Sequence, residues 1–167
     1  QFNDVIYPSN TNYFGFTEHR DGTTGTFDQE GYDWYVTDNP QRVMVLVVNI
    51  VDELYVNPEY ECYVAGYYWA TMDEEMADRN IIHIDSYDWA NRVGADVAIP
   101  HLYEQVFTHE YQHALHFDHD ADEALWIDEG MADLAPYLAG YGHSAGHVAY
   151  YLVYHRTSLT QWGQMLE

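Results

Sequence analysis

The stretch from Pro100 to Phe117 constrains the fold most, because its apolar and histidine side chains recur every three or four residues. That spacing is typical of one face of an α-helix. The residues on this face are Leu102, Val106, His109, His113 and Phe117. Pro100 is expected at the first helical position, where its fixed φ is favourable. The sequence therefore predicts a helix that begins at Pro100 and carries two histidines on one face.

Upstream of this helix, three stretches are predicted to be β-strands: Arg42–Val51, Val64–Ala70 and Asn80–Asp85. The first is a β-branched run without alternation, which is typical of a strand buried on both faces. A short acidic turn or helix is expected at Asp73–Arg79. Residues 1–41 are polar, aromatic-rich and interrupted by glycines, which predicts loops and short strands.

Downstream, two more helices are predicted. Asp120 and Glu123 form a D-x-x-E capping signature before a helix over residues 124–137, and a third helix is predicted over residues 143–156. Strands followed by helices indicate an α+β fold with a small mixed sheet.

The composition fits one globular domain over residues 1–167, since neither a repeat nor a linker is visible. With 47% hydrophobic and 17% aromatic residues, the chain can build a core, which excludes disorder, collagen-like repeats and a coiled coil. The longest apolar run, Val43–Val51, is too short to span a bilayer. Residues 159–167 end without a turn or cap signal, as in a domain truncated at its C-terminal end.

The charge is strongly acidic: 28 Asp and Glu against five Arg and no Lys give −23. Nucleic acid and anionic membrane surfaces are therefore poor partners. One interpretation of this acidic surface is adaptation to high salt or to a calcium-rich exterior. The alternative is a soluble acidic protein without such an adaptation. Because the chain begins at Gln1 rather than Met, we expect a processed protein that is extracellular or at the cell surface.

The helix from Pro100 contains His109, Glu110 and His113 in the pattern H-E-x-x-H. Side chains four apart on a helix point the same way, so both imidazoles can bind one zinc ion. Glu110 would lie beside the metal, where it can take a proton from the attacking water. Solvated histidines on an amphipathic helix are the alternative interpretation.

A catalytic zinc ion usually has a third protein ligand, and two residues are candidates. Glu129, on the second helix, could reach across the helix pair, and Asp133 one turn later could orient a ligand imidazole. His119 follows His113 by six positions, but His116 stands where a glycine would be needed for the chain to turn out of the helix. We favour Glu129.

The letters H-E-Y-Q-H followed by W-I-D-E-G-M-A-D resemble the zincin metallopeptidases of the gluzincin type. The motif W-x-x-E-G-x-A is most similar to the corresponding motif of hyicolysin-type and immune-inhibitor-type secreted peptidases. The resemblance covers Pro100–Tyr137. The resemblance implies a zincin-like fold, zinc held by His109, His113 and Glu129, and Glu110 as general base. It implies Asp133 as the partner of a ligand histidine, a peptide or protein substrate, and an edge strand that pairs with that substrate. All three predicted strands, Arg42–Val51, Val64–Ala70 and Asn80–Asp85, are candidates for this edge strand.

Two features depart from this resemblance. Only fifteen residues separate His113 from Glu129, so the connection between the helices must be tighter than in thermolysin. A His or Tyr from the C-terminal part stabilises the oxyanion in thermolysin-like enzymes, and the sequence alone does not single one out. The residues available are Tyr137, Tyr141, His143, His147, Tyr150 and Tyr151. We name His147 and Tyr151 as the candidates for oxyanion stabilisation.

Calcium is an alternative or additional metal. The spacing of four acidic residues resembles that of the calcium ligands in a twelve-residue EF-hand loop. These residues are Asp118, Asp120 and Asp122, with Glu129 at the twelfth position of the loop. Glu123 replaces the glycine that such a loop needs at its sixth position. A looser calcium site that stabilises this loop fits the same residues better.

Nucleophilic catalysis has little support. Cys62 is the single cysteine, which excludes an internal disulfide, and its aromatic and acidic neighbours would raise the pKa of a thiol. Ser144 lies in a G-x-S-x-G pattern, but no predicted strand precedes it. The sequence thus predicts a zinc endopeptidase of unknown oligomeric state. The alternative is a non-catalytic, metal-stabilised zincin-fold surface or scaffold protein.

Overall fold

Three short strands form one mixed sheet in the computed structural model, which describes residues 1–33, 35–60 and 63–153. The strands are β1 (Met44–Val48), β2 (Gly66–Tyr67) and β3 (Ile81–Asp85), in the order β1-β3-β2. β1 runs parallel to β3, with Met44 opposite Ile81, and β2 runs antiparallel to it. The prediction of an α+β fold with a small mixed sheet is confirmed at this level.

The central strand β3 is buried along its whole length. Ile82 and Ile84 pack into the main core, whereas Ile81 packs with Tyr35 and Ala77 on the other side of the sheet. The burial on both faces that the sequence predicted for Arg42–Val51 is wrong for β1. That strand lies at the edge of the sheet, and its Val45 and Val47 are 44% and 47% exposed.

The N-terminal region is helical, so the prediction of loops and short strands over residues 1–41 is wrong there. A π-helical turn, Phe2–Ile6, continues into α1 (Tyr7–Phe14). Asn10 is fully buried and donates its side-chain N–H to the backbone oxygen of Thr108 at 3.0 Å. A polar segment thus packs in the core because its buried amide has a hydrogen-bond partner.

The long helix α4 (Leu102–His119) lies against the sheet and carries the H-E-x-x-H residues. Its Tyr111, Ala114 and Leu115 are fully buried and pack with Ile82 and Ile84 of β3. The predicted helix is confirmed, but it does not begin at Pro100. A turn with a left-handed His101 (φ 58°) precedes Leu102.

Helix α5 (Leu125–Leu138) packs directly on α4, and α6 (Ala145–Val153) follows. Both agree with the predicted helices, although residues 154–156 of the third lie outside the described residues. The predicted capping box is wrong: Asp120 caps the end of α4, and Glu123 accepts a hydrogen bond from the N–H of Ala124.

The remaining elements are short. They are α2 (Thr26–Gln29), α3 (Glu53–Val56), a π-helical turn at Thr71–Met76 and a 3-10 turn at Trp89–Asn91. The turn at Thr71–Met76 falls within the predicted acidic turn or helix. Within the described ranges, no helix has both the length and the apolar character that a bilayer span requires.

Candidate metal centre

Two imidazole nitrogens and one carboxylate oxygen converge where α4 meets α5. His109 and His113 lie one turn apart on α4, and their Nε2 atoms are 3.1 Å apart. Glu129 projects from α5, and its Oε2 lies 3.5 Å from Nε2 of His109 and 3.8 Å from Nε2 of His113. The three ligand atoms all lie within 4.8 Å of one another, close enough to share one metal ion. The predicted ligand set is thus brought together.

The spacing of these three atoms suits a tetrahedral metal ion. Bonds of about 2.0–2.1 Å from zinc to nitrogen and oxygen require ligand atoms roughly 3.3–3.4 Å apart. The observed separations of 3.1, 3.5 and 3.8 Å bracket that value. Two imidazoles and one carboxylate also leave a fourth position open, as in catalytic zinc sites. These three side chains could therefore hold a metal ion.

Each of the two imidazoles forms a contact through its Nδ1 atom with an aspartate of α5. The Nδ1 atom of His109 lies 3.1 Å from Oδ1 of Asp133, and Nδ1 of His113 lies 2.9 Å from Oδ1 of Asp128. A proton on Nδ1 leaves the lone pair of Nε2 free for a metal ion. Asp133 lies where the sequence predicted it, whereas Asp128 was missed. Its place directly before Glu129 was the signal in the sequence, but that place alone does not specify a contact with His113.

The electrostatics of this cluster favour a cation. Burial disfavours the charged form of His109, but hydrogen bonds to Asp133 and Glu129 outweigh it and raise its pKa to about 10. Burial alone would raise the pKa of Asp133, yet hydrogen bonds from His109 and His147 hold that pKa below its usual range. A proton on His109 thus balances the carboxylates, and a divalent cation can take its place.

Glu110 lies beside the three ligand atoms without being one of them. Its side chain is buried and lines the same cleft as His109 and His113. Burial raises the pKa of Glu110, and the two histidines oppose that shift. A raised pKa makes the carboxyl group a stronger proton acceptor than an ordinary glutamate, which favours a role as a general acid–base group.

An open cleft of about 990 Å³ gives access to this cluster. Residues 63–71, which include the edge strand β2, form part of its lining, as do residues 143–147 before and within α6. β2 runs close to α4, since a side chain at Gly66 would collide with Val106. Of the three strands predicted as candidates to lie beside a substrate, β2 is thus the edge strand at the cleft, while β3 is central.

The two candidates for oxyanion stabilisation differ in position. His147 lines the cleft, and its Nδ1 lies 2.9–3.0 Å from the carboxylate oxygens of Asp133. Its ring centroid is 6.4 Å from that of His109. Tyr151 lies one turn further along α6, is 41% exposed and is not part of the cleft lining. The structure therefore brings His147, but not Tyr151, to the candidate site.

His119, the alternative third ligand, is not brought to the site. It is the last residue of α4, which continues straight through His116. Its imidazole instead packs against Gly15, where an added side chain would lie 2.5 Å from Nε2. Gly15 also has a φ of +93°, a conformation that favours glycine.

The residues of the imitated EF-hand do not form such a loop. Asp118 lies inside α4, and its carboxylate accepts hydrogen bonds from Arg20 at 2.6 Å and from the N–H of Glu18 at 2.7 Å. Asp120 and Asp122 are exposed in the short connection to α5. A looser calcium site at this connection stays a prediction.

The other nucleophile patterns lead to no site. Ser144 lies in the turn that precedes α6, and no strand leads into it, so the geometry of a nucleophile elbow is missing. Cys62 lies outside the described residues.

Compared with known proteins, the chain matches no family model and no curated sequence. The function proposed below is therefore based on the arrangement of the residues at the candidate site.

Proposed function

We propose that this protein is a zinc-dependent metalloendopeptidase with a zincin-like fold of the gluzincin type. The observation that carries the proposal is the triangle of Nε2, Nε2 and Oε2 from His109, His113 and Glu129, which opens into a cleft beside the buried carboxyl group of Glu110. Two imidazoles with one carboxylate and an open fourth position are the donor set of zinc peptidases.

When bound, a zinc ion would supply Lewis acidity, which polarises the scissile carbonyl and makes the attacking water more acidic. Glu110 accepts the proton of that water and returns it to the leaving amine, so one carboxyl group serves as base and then as acid. Its raised pKa suits both steps. Asp133 and Asp128 keep the two ligand imidazoles in the orientation and tautomer that the ion requires.

The substrate we propose is an extended peptide that lies along residues 63–71. An edge strand offers free backbone N–H and C=O groups, which hydrogen-bond to an extended chain. Tyr67, Tyr68 and Trp69 are among the residues that line this part of the cleft. The carboxylates of Asp120 and Glu123 lie in the same lining, which contains no Lys or Arg among the described residues. Positively charged peptides are therefore favoured over acidic ones.

His147 is proposed to stabilise the developing oxyanion. Its Nδ1 atom is engaged with Asp133, so its Nε2–H is available to donate a hydrogen bond into the cleft. The hydrogen bond to Asp133 raises the pKa of His147, which favours the protonated form that such a donor needs.

Cleavage of a fluorogenic peptide library by the zinc-loaded protein tests the proposal. Glu110→Gln is expected to bind zinc normally and lose turnover by about 10²–10⁴-fold, the usual contribution of general acid–base catalysis. Glu75→Gln, which makes the same change at an exposed carboxylate outside the cleft lining, is the control and is expected to retain turnover. Zinc binding without cleavage of any peptide would contradict the proposal and favour a metal-stabilised scaffold instead.

A further inference from the structure

One carboxylate joins three helices beside the candidate metal centre. Asp133 of α5 lies 3.1 Å from Nδ1 of His109 on α4, and 2.9–3.0 Å from Nδ1 of His147 on α6. The first imidazole is a proposed metal ligand and the second lines the cleft. A change in the position of one imidazole can therefore affect the other imidazole through the carboxylate of Asp133.

Helix α6 has little buried surface of its own. None of its residues is buried, and Val148, Leu152 and Val153 are 51%, 68% and 68% exposed. An element with so few buried apolar contacts opens at low free energy. The hydrogen bond between His147 and Asp133 is a contact that helps to hold α6 at the cleft.

We propose that Asp133 couples occupancy of the metal site to the position of α6. A metal ion on Nε2 of His109 fixes that imidazole, the imidazole fixes the carboxylate of Asp133, and the carboxylate holds His147 and its helix at the cleft. This inference rests on the metal site of the proposed function. Because coupling between two sites is reciprocal, loss of the contact on α6 must weaken metal binding by the same factor.

Asp128 provides an internal comparison. It too contacts two imidazoles, with Oδ1 2.9 Å from Nδ1 of His113 and 3.2 Å from Nδ1 of His116. Both of these histidines belong to α4, so Asp128 connects only two helices. Asp128→Asn removes an equivalent charge and an equivalent contact to a ligand imidazole, but leaves the connection to α6 intact.

The test is a double-mutant cycle read by zinc affinity, measured by competition with a chromogenic chelator on the purified chain. His147→Ala alone is expected to weaken zinc binding about 3- to 10-fold, near the lower end of typical couplings because His147 is exposed. In the background of Asp133→Asn, the same substitution should have no further effect. In the background of Asp128→Asn, it should keep its full effect.

Amide hydrogen exchange over residues 145–153 gives a readout independent of activity. Zinc, at a concentration that saturates each variant, should slow exchange in the wild type and in Asp128→Asn, but not in Asp133→Asn. Unchanged zinc affinity in His147→Ala would overturn the inference. A loss that persists in the Asp133→Asn background would also overturn it, because His147 would then bind the metal directly. A wild-type chain that binds no zinc would overturn the proposed function as well.

Discussion

The imidazole of His113 and the carboxylate of Asp128 lie 2.9 Å apart, so the second proposed ligand has an anchor that directly precedes the third ligand in the chain. Burial alone would raise the pKa of Asp128, but the hydrogen bond from His113 holds that pKa below its usual range. The carboxylate is therefore ionised at neutral pH and can fix the tautomer of His113.

Asp128→Asn is expected to lower zinc affinity about 10- to 100-fold while the fold is retained, since the amide is isosteric but a weaker acceptor. Chelator competition measures the affinity, and circular dichroism checks the fold. Asp120→Asn removes a carboxylate of the same cleft that has no histidine contact, and it should bind zinc normally. Equal affinities of the two variants would contradict an orienting role for Asp128.

Zinc binding is expected to release protons. The pKa of His109 is raised to about 10 in the metal-free protein, so at pH 7 its imidazole is protonated and the incoming ion must displace that proton. Apparent affinity should therefore rise by up to about tenfold per pH unit between pH 6.5 and 8.5. Calorimetry in two buffers of different ionisation enthalpy measures the released protons. An affinity that stays constant over this range would contradict the displacement of a proton from His109.

Folding stability should depend on a buried carboxyl group outside the site. Asp73 is fully buried, with Oδ1 3.7 Å from Nε2 of His83, and burial raises the pKa of Asp73 to about 7. The folded state keeps this proton while the unfolded state loses it near pH 4. The contribution to stability is thus full below about pH 4 and is lost as pH rises through 7.

Asp73→Asn should consequently stabilise the fold at pH 8, by about 1–3 kcal/mol, and have a smaller effect at pH 5. Urea unfolding at the two pH values measures the difference. Asp122→Asn makes the same change of charge at an exposed position and separates the effect of burial from that of net charge. Destabilisation by Asp73→Asn at pH 8 would show that the ionised carboxylate is needed there.

The net charge of −23 predicts stabilisation by salt. Repulsion between exposed carboxylates weakens as ionic strength rises, because the Debye length falls from about 10 Å at 0.1 M to about 3 Å at 1 M. The urea midpoint should therefore increase between 0.05 and 1 M NaCl, since urea itself carries no charge. A midpoint independent of NaCl would remove the physical basis for adaptation to high salt.

The site was largely predictable because most of its geometry is local. His113 follows His109 by four positions on one helix, and Asp133 follows Glu129 by four positions on the next, so each pair shares a face. Asp128 could not be assigned in the same way. Its contact to His113 depends on how α4 and α5 cross, and a linear pattern does not specify that crossing.

The errors in the fold also have physical causes. The apolar run in β1 does not reveal its position in the sheet, so an edge strand looks the same as a buried one. In α1, Pro8 near the start and Gly15 at the end are helix signals, but the polar residues between them hide the helix. Asn10 is buried there because of a hydrogen bond to Thr108, which lies 98 positions away.

The metal content of the purified protein, measured per chain after exhaustive dialysis, tests the central claim most directly. We expect about one zinc ion in the wild type and almost none in Glu129→Ala, because that variant loses one of three proposed protein ligands. Calcium without zinc, in protein never exposed to a chelator, would contradict a zinc site at His109, His113 and Glu129. So would a zinc content that Glu129→Ala leaves unchanged.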